Sequence, residues 1–87
     1  MPRYFFDLRD GDFVPDQIGT PLRDVEAARL YAVMLISGLL RDNPRKFWTG
    51  DAWKVEVRTE DGATLFTLAF LATEGADALQ TTAPALD

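Results

Sequence analysis

From Val25 to Leu40 the chain runs for sixteen residues with only two charged side chains, Glu26 and Arg29. Asp24 is a favoured helix N-cap residue, and Glu26 sits where the helix dipole favours an anion. Asn43-Pro44 ends the segment, because a residue before proline avoids the α region. The spacing therefore predicts one helix over Val25–Arg41. Val25, Ala28, Ala32, Leu35, Ile36 and Leu39 share one face of it, suited to packing on a sheet. The opposite side carries Ala27, Leu30, Tyr31, Met34 and Gly38 where polar residues are expected, with Val33 and Leu40 on the flanks. A helix apolar all round is buried all round. In a chain of 87 residues, the second stripe must be covered by the rest of the chain, for example Leu79 and Leu86, or by a partner.

The flanking segments read as strands. Arg3–Leu8 alternates, with Tyr4, Phe6 and Leu8 on one side and Phe5, Asp7 and Arg9 on the other. Asp10-Gly11 is a hairpin signal, and Asp12-Phe13-Val14 is a short return strand stopped by Pro15. Asp16–Pro21 reads as a loop, held down by Ile18 and Leu22. Pro44 suits the opening of a short helical turn through Phe47 and Trp48, with Asn43 as its cap. Trp53–Thr59 points Trp53, Val55 and Val57 inward and Lys54, Glu56 and Arg58 outward. Glu60-Asp61-Gly62-Ala63 is a second turn, and Thr64–Phe70 places Phe66, Leu68 and Phe70 on one face. The expected fold is an α+β ββαββ two-layer sandwich. Its four-stranded, antiparallel-biased sheet carries one central helix on one face, and the strand order is open. Residues 1–72 form this domain. Residues 73–87 are an acidic, Ala/Thr-rich tail, either frayed or holding a short helix around Ala76–Gln80.

The chain contains no cysteine and no histidine. That removes thiolate chemistry, His-based triads and the usual zinc and iron–sulfur ligands. A net charge of -5 argues against a general nucleic-acid binder, whose affinity comes largely from neutralising phosphates. No secretory pattern opens the sequence, and Leu30–Leu40 is too short for a bilayer span of about 20 residues. A soluble cytoplasmic protein with no membrane contact and no cofactor is the expectation.

Three groups of residues invite a site. Asp7, Asp10, Asp12 and Asp16 lack the spacing of a calcium loop, and turn chemistry accounts for them. Tyr4 and Asp7 lie three apart on a strand, so they point to opposite faces and cannot share a catalytic site. Residues 41–58 hold five basic and three acidic side chains, whereas residues 59–87 hold five acidic and none basic. Arg45, Lys46, Trp48, Lys54 and Arg58 are accordingly the candidate patch for an anionic ligand or a nucleic acid. The leading expectation is a non-catalytic protein-interaction or assembly module. It forms a homodimer through Ala27, Leu30, Tyr31, Met34 and Gly38 and presents its sheet or the Phe47–Trp48 loop to another protein.

Certain residues together resemble a family of small bacterial proteins known as domain of unknown function 6894. They are Pro2-Arg3-Tyr4-Phe5-Phe6 with Asp10-Gly11, Asp16 followed by Gly19 and Leu22, and Asp24 with Glu26-Ala27-Ala28. Asn43-Pro44 with Phe47-Trp48, Val55 with Val57, and Glu60-Asp61-Gly62 with Leu65-Phe66 complete the set, over about residues 2–70. The resemblance implies the fold and a bacterial origin and brings no activity with it. It also implies that many relatives carry histidine at the position of Asp7, so this chain lacks the side chain on which a general-base or metal role would rest. At the level of architecture alone, the order of elements is similar to antitoxin partners of small bacterial toxins.

Overall fold

A computed structural model of the chain describes residues 1–50 and 52–75. The expected short helix around Ala76–Gln80, and the covering role of Leu79 and Leu86, lie outside the described residues. The elements in order are β1 (Arg3–Arg9), β2 (Phe13–Val14), β3 (Thr20–Pro21), α1 (Val25–Asp42), α2 (Pro44–Trp48), β4 (Trp53–Arg58) and β5 (Thr64–Phe70). The architecture is α+β, an antiparallel open sheet with one main helix on one face.

The sheet runs β2-β1-β4-β5, with β3 also paired to β1. The two hairpins therefore meet at β1 and β4, where Phe6 faces Val57 and Leu8 faces Val55. These strands carry the most buried side chains, so their pairing removes the largest apolar area from water. Gly11, at φ 100°, closes the first hairpin, and Gly62, at φ 90°, closes the β4–β5 hairpin.

The fifth strand, β3, corrects the expectation of a loop over Asp16–Pro21. Asp16 Oδ1 accepts hydrogen bonds from the N–H groups of Ile18 (3.0 Å) and Gly19 (2.9 Å). This side-chain turn, followed by Gly19 at φ 78°, sends the chain back beside β1. Tyr4 then pairs with Thr20 and Arg3 with Pro21. Proline is tolerated there because the strand lies at the sheet edge. Between β2 and β3 the outer edge of β1 is closed by the same carboxylate, since Phe6 N–H donates to Asp16 Oδ2 at 3.1 Å.

Asp24 caps α1, its Oδ1 accepting from Ala27 N–H at 2.9 Å. Asn43 stands at the N-cap of α2, as expected, but its side chain makes no capping bond there and serves the end of α1. Its backbone N–H and its Nδ2 both donate to the Leu39 carbonyl, at 3.0 and 3.1 Å, which satisfies a carbonyl the helix end would leave bare. Ala28 and Ala32 are fully buried beneath the helix, and their small side chains let α1 lie close to the sheet. With Ile36 they pack on Tyr4, Phe6, Trp53, Val55 and Val57 to form the core. Among the described residues, no helix is long and apolar enough to cross a membrane.

Candidate functional site

The outer face of α1 follows from its 3.6-residue period. With Ala28, Ala32 and Ile36 against the sheet, Leu30 (62% exposed), Val33 (46%) and Met34 (73%) project to the other side. They stand at i, i+3 and i+4, so they adjoin one another on the helix surface. Ala27 and Gly38 border them, half-buried. A methyl group built on Gly38 would meet nothing within 4 Å, so the surface there is open. Tyr31 departs from the expected set. Its ring packs against Phe6 with centroids 4.7 Å apart, because a side chain on the helix flank is long enough to bend back over β1. Val33, expected on the flank, takes its place in the exposed stripe.

The basic and aromatic residues do not gather into one site. Arg45 is exposed on α2, and Trp48 beside it is 66% exposed. Phe47 packs edge-on against Trp53, centroids 5.6 Å apart, and anchors α2 to the core. Lys46 turns to the first hairpin, with Nζ 3.5 Å from Asp10 and 3.7 Å from Asp12. Lys54 lies on the helix-free face of the sheet, directly across from Arg9. Arg58 is on that same face, engaged by Asp7.

Asp7 is the best-buried charged group among the described residues, 5% exposed. Its Oδ2 accepts from Arg58 Nε at 2.5 Å, and its Oδ1 from Arg58 Nη2 at 3.2 Å and from Asp16 N–H at 2.9 Å. The Arg58 hydrogen bonds hold the Asp7 carboxyl below its ordinary range against the opposing effect of burial. Burial pushes Asp16 upward, but the N–H groups of Gly19, Phe6 and Ile18 outweigh it and bring the carboxyl below its ordinary range. The Arg58 guanidinium also lies 5.2 Å from the centre of the Phe5 ring, within cation–π reach. The cluster thus joins β1, β4 and the Asp16 turn. Sequence reasoning placed Asp7 and Arg58 on outward faces, but their meeting depends on the β1–β4 pairing.

Asp7 and Asp16 are occupied as acceptors for a guanidinium and for backbone donors. Among the described residues, no group of three or more acidic side chains is placed to hold a metal ion. Phe47, Trp48, Gly50, Leu71, Ala72 and Glu74 border a depression at the end of the sheet, next to the exposed Trp48 ring.

No curated protein and no solved structure matched the chain. The family described as "Domain of unknown function (DUF6894)" matches residues 3–71, a span that includes both hairpins, α1 and the Asp7–Arg58 pair, and the chain belongs to that family.

Proposed function

We propose that the domain is a small non-catalytic assembly module that pairs with a second copy of itself through the outer face of α1. The observation that carries this reading is the stripe of Leu30, Val33 and Met34. Three large apolar side chains at adjoining helix positions stay in water while the helix underside is fully packed. Leaving such a patch exposed is costly, and it is typical of interaction surfaces. The small neighbours Ala27 and Gly38 permit close helix–helix approach about a two-fold axis. The Trp48 ring and its depression offer a further contact for another protein.

The alternative, an accessory domain for nucleic acid or an anionic ligand, has weaker support. Lys46 and Arg58 are neutralised by Asp10, Asp12 and Asp7, and Lys54 stands on a different element from Arg45 and Trp48. A bacterial, cytoplasmic setting completes this reading, and the cysteine-free composition fits a reducing compartment. Sedimentation equilibrium tests the leading reading. The wild type is expected to be dimeric at micromolar concentration, and Leu30→Glu with Met34→Glu is expected to give a folded monomer. A monomeric wild type, or a dimer that survives the double substitution, overturns it.

A further inference from the structure

The two edges of the sheet are treated differently. The outer edge of β1 is filled along its length by β2, the Asp16 carboxylate and β3. β5 has β4 on one side, and among the described residues no strand lies along its other side. Natural sheets guard an open edge with charge, proline or a cover. Residues 62–73 contain no charged side chain and no proline. The register shift opposite Val57 and Arg58 is confined to the start of β5, and from Phe66 to Phe70 the pairing with β4 is regular.

We infer that the free edge of β5 takes the β5 of a second copy, antiparallel about a two-fold axis at Leu68. In that register Leu68 meets itself, Phe66 meets Phe70, Thr67 meets Ala69 and Leu65 meets Leu71. The phenylalanine and leucine pairs place large apolar side chains opposite one another, on the face where each already points. Leu65 and Leu71 are 39% and 66% exposed, and pairing shelters both. Charge selects the same element. Copies of a chain with net charge -5 repel one another, and β5 is the long strand that brings no charge to the two-fold. β1 and β4 each carry three charged side chains. The edge is about 24 Å long and about 10 Å deep, on the order of 240 Å² per partner from strand and sheet spacings. A standard interface buries about 800 Å² per partner, so this contact is weak and concentration-dependent. It uses a surface separate from α1 and does not depend on the helix pairing.

A covalent trap suits a contact of that size, and the chain has no cysteine of its own. Thr67→Cys and Ala69→Cys proteins, both substituted at exposed positions, are mixed and mildly oxidised. Directly opposed residues lie about 4.5–5.5 Å apart at Cα, within disulfide reach. The 67–69 heterodimer is expected to form about tenfold faster than a control of Asp12→Cys on the far edge, where no such approach exists. It is expected equally in the Leu30→Glu, Met34→Glu background, which separates this contact from the helix reading. Heterodimer formation no faster than the control, including the case where another segment shields the strand, overturns the inference.

Discussion

Replacing Asp7 by alanine tests the account of the Asp7–Arg58–Asp16 cluster most directly. The carboxylate accepts two hydrogen bonds from Arg58 and one from Asp16 N–H, and it is almost fully removed from water. Hydrogen bonds to a charged group contribute about 1.5–3 kcal/mol each. The full sum is too large, because the Arg58 side chain is 28% exposed and regains water when its partner is lost. Discounting the guanidinium bonds accordingly leaves a cost for Asp7→Ala of about 3 kcal/mol, a large share of the roughly 5–15 kcal/mol of a typical domain. Urea unfolding followed by tryptophan fluorescence measures it. Trp53 is buried and Trp48 is exposed, so a Trp48→Phe background isolates the core reporter. The pH dependence has a definite sign. The folded carboxyl titrates below its ordinary value of 3.8, so the unfolded chain takes up the proton first as pH falls. The stabilisation is complete above that ordinary value and is lost as pH drops through the lower folded one. The gap between wild type and Asp7→Ala should therefore be constant above about pH 5 and close in stronger acid. A neutral-pH gap under about 1 kcal/mol, or one that widens on acidification, refutes the reasoning.

Two further substitutions probe the elements that position this cluster. Gly19→Ala places a side chain at φ 78° with its Cβ 2.7 Å from Arg3 Cγ and 2.9 Å from Phe5 Cε2. The expected cost is about 2 kcal/mol, read as a fall in thermal midpoint of about 8–16 °C. Ala32→Leu forces extra volume between α1 and the sheet at a fully buried position. It should lower the urea midpoint by the equivalent of about 1–3 kcal/mol, whereas Val33→Leu on the outer face should leave that midpoint within about 0.5 kcal/mol.

The legible part of the fold was that set by local chemistry. The alternation of Arg3–Leu8, the Asp-Gly turns, the Asp24 cap and the Asn43-Pro44 stop each act over a few residues. Elements built on them appear with boundaries shifted by a residue at most. Long-range consequences were not legible. β3 exists because the Asp16 carboxylate reaches back to the Phe6 N–H, and a strand of two residues leaves no periodic trace. The Asp7–Arg58 pair joins residues 51 apart. Until β1 and β4 are known neighbours, both read as ordinary outward charges. The Tyr31 contact is of the same kind, since the helix period gives its angle but not the direction its ring takes to reach Phe6.

The Asp16 turn has a bearing on colloidal behaviour. A β-sheet with two bare edges can add copies at both and lengthen without limit, as in fibres. Here one rim of the sheet is reduced to two strands of two residues, one of them holding Pro21, so a protomer offers a single long edge for strand addition. Two copies joined there leave only those short outer strands at the rim, and assembly by strand addition stops at a pair. The side chain that redirects the backbone at Asp16 thus acts as a stop against growth by strand addition. Its loss would do more than weaken the fold, because it would hand the chain a second growing end.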